Sequence, residues 1–120
     1  MTAIDDLTRL NHMRDAAQEI LEFMEGQSKK SLESNRMLQM AVMKELEIIG
    51  EAANNISAEC QRQYPQLPWR QMIGMRNRLV HVYFGVDVDV IWRTFQENLV
   101  PLIQQLDRII PLLSDDSSKN

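Results

Sequence analysis

Residues 67–84 read LPWRQMIGMRNRLVHVYF, and this stretch carries the helix pattern around which the rest of the chain is organised. Pro68 suits the first position of a helix, because its fixed φ is helical and its missing N–H would be unpaired there anyway. Apolar residues then recur at helical spacing: Trp69, Met72, Ile73, Leu79 and Val80. Gly85 is a natural end point. The stretch therefore predicts one α-helix that ends near Gly85.

The residues before this stretch predict two further helices. Apolar residues at steps of three and four mark residues 4–25 as a helix capped by Thr2 and ended by Gly26. Residues 32–60 keep the same spacing and predict a single long helix, with Ser31 or Ser34 as its cap. Gly50 lies in the middle of it, beside two alanines, which predicts that another helix approaches closely there.

After the central stretch, Asp87 or Asp89 can cap one more apolar helix, in which Pro101 predicts a kink or break near Val100. The last residues, 114–120, are polar, and we expect them to form a disordered tail behind a single domain of residues 1–113. No segment has the two-residue period of a strand. The fold class predicted is all-α, an antiparallel bundle of four to five helices.

Composition excludes several classes of protein. The chain has 120 residues, enough for one domain. A net charge of −4 argues against broad, sequence-blind binding to nucleic acid, which needs many basic residues, but leaves room for a local positive pocket; no DNA partner is expected. Cys60 is the single cysteine, and we expect it to be a packed, unreactive thiol. No apolar run is long enough for a membrane span, so no membrane association is expected and the predicted location is the cytoplasm.

Four polar side chains interrupt the apolar pattern of the central stretch. On an ideal helix Arg76 falls in the middle of the apolar stripe, Tyr83 lies about 20° from it, and Asn77 and His81 neighbour each other on an adjacent face. A guanidinium there needs an opposing group or a water-filled cleft, and the nearest candidates for an opposing group are acidic residues of the preceding helix: Glu45, Glu47 and Glu51. Taken singly, each polar residue could be structural. Together they could hold a phosphodiester, move a proton and neutralise developing charge.

Arg76, four residues, His81, one residue and Tyr83 make an R-x4-H-x-Y motif, which resembles the signature of the HepT-like toxins of the HEPN superfamily. The flanking blocks resemble that family too: ELEIIGEAANNIS from Glu45, the central stretch from Leu67, and VDVDVIW from Val86. The resemblance implies a HEPN-like helical bundle that forms a homodimer, with two motifs in a cleft between subunits. It further implies a metal-independent endoribonuclease that acts as a toxin on RNA.

The resemblance also implies a role for each motif residue. His81 would move a proton, Arg76 would stabilise charge on phosphorus, and Asn77 would hold or orient the phosphate. Tyr83 would receive AMP from a minimal nucleotidyltransferase antitoxin, which uses ATP and Mg²⁺; cleavage itself would need no cofactor. An alternative reading is a non-catalytic module that binds a nucleotide or docks the nucleotidyltransferase.

Overall fold

The structure, a computed structural model, describes residues 5–81 and 85–118; at positions 76, 77, 79–81 and 115–118 it describes the backbone alone. Seven helical segments occur in this part of the chain: α1 (Asp6–Phe23), α2 (Lys29–Ser34), α3 (Arg36–Asn55), α4 (Ala58–Gln63), α5 (Trp69–Leu79), α6 (Val88–Glu97) and α7 (Leu99–Ser118). Two short strands, β1 (Val80–His81) and β2 (Gly85–Val86), pair as an antiparallel hairpin. The predicted all-α fold class is confirmed.

The first helix packs against both α3 and α7. Its inward residues are completely or almost completely buried: Leu10, Met13, Ala16, Ala17 and Ile20. Asp5 caps the helix by accepting a hydrogen bond from the Thr8 amide at 2.8 Å. The predicted cap, Thr2, lies outside the described residues. Gly26 follows the helix with φ of +74°, a conformation that glycine adopts without strain.

The predicted long helix over residues 32–60 is wrong, because the chain breaks twice there. Asn35 leaves the helical conformation and its side chain accepts from the Leu38 amide at 3.0 Å, which caps α3. Ser57 caps α4 in the same way, through the Cys60 amide at 3.1 Å. Side chains of this kind compete with helical backbone bonds, and this turns an apparently continuous pattern into three helices.

Helices α3 and α5 approach each other closely, as the position of Gly50 in the sequence predicted. A Cβ at Gly50 would lie 2.8 Å from the carbonyl oxygen of Met72, closer than such atoms approach in proteins. Because Gly50 has no side chain, the backbone of α5 at Met72 can pack directly against α3. This contact sets the position of α5 one turn before Arg76.

The central helix ends earlier than predicted. It stops at Leu79, and the chain continues as the hairpin, in which Val80 pairs with Val86 and His81 with Gly85. Gly85, with φ of +87°, therefore serves the hairpin and not a helix end. The physical reason is the pair of β-branched residues Val80 and Val86, which suit paired strands better than a last helical turn.

Beyond the hairpin, Asp87 caps α6 by accepting from the Val90 amide at 3.1 Å, whereas Asp89 forms an ion pair with Lys29 of α2 at 2.8 Å. The predicted break near Val100 is confirmed, since α6 ends at Glu97 and α7 begins at Leu99. The final helix continues to Ser118, past the boundary at residue 113 that composition predicted. Serine and aspartate are only modestly unfavourable in a helix, so polarity alone does not end one.

Candidate functional site

The backbone brings three of the four motif residues to one end of α5. Arg76 and Asn77 occupy the last turn of that helix, and His81 lies directly after it in β1. The predicted helical neighbourhood of Asn77 and His81 is wrong, because His81 is not on the helix. Tyr83 lies outside the described residues. The candidate site is therefore a helix end joined to a hairpin, with one motif histidine on the hairpin.

The other end of α5 is held firmly. The indole nitrogen of Trp69 donates a buried hydrogen bond of 2.9 Å to the Tyr64 carbonyl. Farther along, Met72 and Met75 are buried against the core. Because the first two turns are fixed by packing and by this hydrogen bond, the last turn is presented from a rigid support, as a precise site requires.

A cation that sequence spacing did not indicate lies beside the hairpin. Nη1 of Arg36, at the start of α3, is 3.6 Å from the position that a Cβ would take at Gly85. Gly85 is the cross-strand partner of His81, so the Arg36 guanidinium stands next to the hairpin that carries the motif histidine. Residue 36 is forty positions from the motif and was predicted to lie inside a longer helix. The break at Asn35 makes Arg36 the first residue of α3, and tertiary packing places it beside Gly85.

A groove of about 590 Å³ runs between α1, α3 and α5 on the side of Ile73. Ile73 is three and four residues before Arg76 and Asn77, so these positions continue the same helix face. Its charged lining is mixed: Arg9, His12, Lys44, Glu47 and Glu51. Two of the three predicted carboxylate partners, Glu47 and Glu51, therefore lie on the Arg76 side of α5.

The third predicted partner, Glu45, lies elsewhere. Its side chain is buried, and its Oε2 has no hydrogen-bond partner among the described residues. Burial raises the pKa of this carboxyl, and the nearby Glu19 of α1 raises it further through charge repulsion and a hydrogen bond. Glu45 therefore belongs to the contact between α1 and α3.

A second cavity, of about 270 Å³, lies on the other side of α5, against α3, α6 and the start of α7; we call it the α5–α6 cavity. Its inner wall is apolar and includes Met72, Met75 and Leu102. Arg78 and Arg93 line it as well, and both are exposed to solvent. The helical pattern of the sequence does not reveal this neighbourhood of Arg78, because the cavity forms where α5 meets other helices.

Other features of the described residues bear on the class of site. Among the residues whose side chains the structure describes, no group of three or more potential metal ligands occurs. In the same part of the chain, no helix has the length and apolar character needed to cross a membrane. Cys60 is buried, and burial raises the pKa of its thiol to about 11. A thiol that stays protonated at neutral pH is a poor nucleophile.

The chain is similar to known proteins over most of its length. Residues 13–109 match the family described as "Ribonuclease HepT-like". A protein named "Probable ribonuclease HepT" from Thermococcus cleftensis is 44% identical over 75 residues, which cover 62% of this chain and 68% of that protein. A protein named "Putative RNase" from Methanocaldococcus jannaschii is 35% identical, with 80% and 87% covered. Another of that name, from Caldanaerobacter subterraneus, is 33% identical, with 84% and 90% covered.

No solved structure matches the chain with significance. The family match spans about four fifths of the sequence and includes the whole R-x4-H-x-Y motif. The three relatives are each more than 30% identical, and each is covered over at least two thirds of its length. On these grounds the chain belongs to the HepT-like ribonuclease family.

Proposed function

We propose that the protein is an endoribonuclease that cleaves RNA without a metal ion and acts as the toxin of a toxin–antitoxin pair. The observation that carries this proposal is the family match over residues 13–109, which contains Arg76, Asn77 and His81. The backbone gives further support, because it brings these positions together at the end of α5 and the start of the hairpin. The ribonuclease names of the relatives supply the class of reaction.

In the proposed reaction the 2′-oxygen of a ribose attacks the adjacent phosphorus. The new O2′–P bond forms as the P–O5′ bond breaks, which leaves a 2′,3′-cyclic phosphate on one fragment and a 5′-hydroxyl on the other. His81 accepts the proton of the 2′-hydroxyl, and the departing 5′-oxygen takes up a proton. An imidazole suits this role because it titrates near neutral pH.

Arg76 and Asn77 serve the phosphate in this scheme. The Arg76 guanidinium stabilises the additional negative charge that develops on the phosphoryl oxygens, and the Asn77 amide holds one of those oxygens in place. Arg36, which stands beside the hairpin, supplies a further positive charge for the RNA backbone. This local concentration of cations reconciles a phosphate-binding site with a net charge of −4.

The proposal includes a homodimer. Arg76 continues the face of α5 that carries Ile73, which borders the groove between α1, α3 and α5. In a dimer this face would meet a second copy, and the two motifs would share one cleft. An arginine on an otherwise apolar stripe would then face a solvent-filled cleft and not a sealed core, which avoids the cost of burying an unpaired charge.

Tyr83 is the proposed site of inhibition. Its phenolic oxygen attacks the α-phosphorus of ATP on a minimal nucleotidyltransferase antitoxin, with Mg²⁺ bound by that partner, and pyrophosphate departs. The product is a tyrosine that carries AMP, two residues after His81. The added negative charge would occupy the place of the RNA phosphate and repel the substrate.

The test is RNA cleavage by the purified protein in the presence of EDTA. We expect Arg76→Ala and His81→Ala each to reduce cleavage by about 100-fold or more, as for the loss of a catalytic proton carrier or charge stabiliser. Arg108→Ala is the matched control, because Arg108 is an exposed arginine on α7 and its removal changes the net charge by the same amount as Arg76→Ala.

Full activity in the Arg76→Ala, His81→Ala double variant would refute the proposal. A tight complex with the nucleotidyltransferase, formed without any RNA cleavage, would favour the non-catalytic module.

A further inference from the structure

We propose that the α5–α6 cavity binds one unpaired nucleobase of the RNA, next to the position of cleavage, and that Arg78 and Arg93 bind the phosphates that flank this base. The inference rests on the proposed function, for which it names a substrate subsite. Arg78 occupies one of the variable positions of the R-x4-H-x-Y motif, and the other residues named here as lining the cavity lie outside the motif. The cavity would therefore determine the position at which RNA is cut, and would take no part in the chemical step.

The inner wall of the cavity suits the flat face of a base. Met72 and Met75 of α5 are 6% and 8% exposed, and Leu99 and Leu102 of α7 are 2% and 7% exposed, so apolar atoms form a fixed floor. Methionine side chains adapt their shape and make favourable contacts with aromatic rings. The volume of about 270 Å³ is slightly below the range of about 300–1,000 Å³ that holds drug-sized ligands. A cavity of this size suits one base and not a longer segment.

The rim supplies the charge that a nucleotide requires. Arg78 of α5 and Arg93 of α6 both line the cavity and are exposed, and no described carboxylate lies within ion-pair distance of either. Asp89 interacts electrostatically with Arg93, but its ion pair is with Lys29. Two guanidinium groups without an ion pair to a described carboxylate match a base with a phosphate on each side, because guanidinium binds phosphate through two parallel hydrogen bonds.

The remaining polar groups of the rim suggest which bases fit. Glu97 and Asn98, at the end of α6, line the cavity with Gln71 of α5. A carboxylate accepts hydrogen bonds from the exocyclic amino group of a base, and it repels phosphate, so it directs the base inward and the phosphates toward the arginines. We therefore expect adenine, cytosine and guanine, which carry such an amino group on the Watson–Crick edge, to bind better than uracil.

The placement on α5 fixes how the subsite relates to the cut. Positions two apart on a helix lie about 200° apart around its axis, so positions 76 and 78 are on nearly opposite sides of α5. A strand bound at both positions would pass over the C-terminal end of the helix, where the hairpin begins. The base in the cavity would thus belong to a nucleotide beside the cleaved linkage, and single-stranded RNA would be required, as for most base-specific recognition of RNA.

The direct test measures binding apart from cleavage. The protein is labelled at its methionine methyl groups, and NMR follows their signals during titration with the 3′,5′-bisphosphates of adenosine, cytidine and uridine, which carry a phosphate on each side of the base. Met72→Leu and Met75→Leu are used for assignment. We expect saturable shifts at Met72 and Met75, with weaker binding for uridine 3′,5′-bisphosphate, and no shift at Met13 of the α1 core. Arg78→Ala and Arg93→Ala should each weaken binding by about tenfold, the usual effect of a lost charge-assisted hydrogen bond. Arg108→Ala should leave it unchanged.

Absence of any shift at Met72 and Met75, or undiminished shifts in the Arg78→Ala, Arg93→Ala double variant, would overturn the subsite. The two proposals fail separately. Metal-independent cleavage that requires His81, without methyl shifts, would leave the proposed function in place and remove the subsite. Methyl shifts that require both arginines, without cleavage of any RNA, would support a nucleotide site and contradict the ribonuclease.

Discussion

Gly50 of α3 lies directly against the backbone of Met72 in α5, so closely that a Cβ on Gly50 would be 2.8 Å from the Met72 carbonyl oxygen. The contact lies one helical turn before the motif arginine. Since the obstructing atom belongs to the backbone, it cannot move aside as a flexible side chain could. The position of the motif helix thus depends on the absence of a single side chain in the helix beneath it.

Replacement of this glycine should separate the two helices. We expect Gly50→Ala to destabilise the fold by about 1–3 kcal/mol, the usual cost of forcing extra atoms into a packed contact, despite the better helix propensity of alanine. Gly74→Ala is the matched control. Gly74 also lies within α5, but a Cβ at this position would have no atom within 4 Å apart from its own stretch of helix backbone. That variant should gain about 0.5–1 kcal/mol. Urea denaturation measures both, and equal stabilisation by the two changes would contradict the close contact.

The buried carboxyl between α1 and α3 should make stability depend on pH. The pKa of Glu45 is raised in the folded protein by burial and by Glu19. The folded state therefore holds this proton more tightly than the unfolded chain does, and stability is lost as pH rises from the ordinary glutamate pKa through the raised value. Glu45→Gln should remove this loss and stabilise the protein at pH 7 by about 1 kcal/mol, because the amide can occupy the site without charge.

The control for this change is Glu51→Gln, on the exposed surface of the same helix. Its stability profile from pH 4 to pH 7 should follow that of the unaltered protein, whereas the profile of Glu45→Gln should be flatter and meet the unaltered one only at the acidic end. The account would be contradicted if Glu45→Gln and the unaltered protein lost the same stability between pH 4 and pH 7. Glu45 would then not be the group whose titration causes the loss.

The single thiol should be inert in the native protein. Cys60 is 4% exposed and its pKa is raised to about 11, so little thiolate exists at pH 8 and reagents cannot reach it. Reaction with a chromogenic disulfide should follow the slow rate of opening of the native fold and become rapid in guanidinium chloride. Rapid reaction of the folded protein would place Cys60 in an open environment and contradict its packing between α4 and its neighbours.

The proposed switch at Tyr83 predicts a specific adduct. Incubation with the cognate nucleotidyltransferase, ATP and Mg²⁺ should add one adenylyl group to the protein and abolish RNA cleavage, since the added phosphate competes with the RNA backbone. Tyr83→Phe should prevent both effects. Tyr64→Phe alters the other tyrosine of the chain, which is buried, and should prevent neither the adenylylation nor the loss of RNA cleavage. Adenylylation that persists in Tyr83→Phe would assign the modification to another residue.

The sequence predicted the parts of the fold that depend on local pattern. Helical spacing located the apolar faces, Asp87 was correctly among the predicted caps of α6, and Gly50 correctly indicated a close helix contact. The pattern did not reveal the breaks at Asn35 and Ser57. Apolar spacing remains in phase across both positions, and a single polar side chain decides there between one more helical bond and a cap.

The candidate site was predicted as a set of residues but not as a geometry. The end of α5 at Leu79 moves His81 from a helix face to a hairpin, which no count of residues per turn could show. Arg36 lies beside the hairpin, and Arg93 lines the same cavity as Arg78. Tertiary packing brings both arginines there from positions on either side of the motif in the sequence. Local spacing carries no information about such contacts.

The central claim, that this fold cleaves RNA through the ribose 2′-hydroxyl, is tested most directly by the ends of the products. An RNA substrate is digested in EDTA beside the same RNA with a single 2′-deoxyribose at the position of cleavage, and the fragment ends are determined by mass spectrometry. We predict 2′,3′-cyclic phosphate and 5′-hydroxyl ends from the first RNA and no cleavage at the substituted position of the second. Fragments with 3′-hydroxyl and 5′-phosphate ends, or cleavage that persists at the deoxyribose, would contradict it.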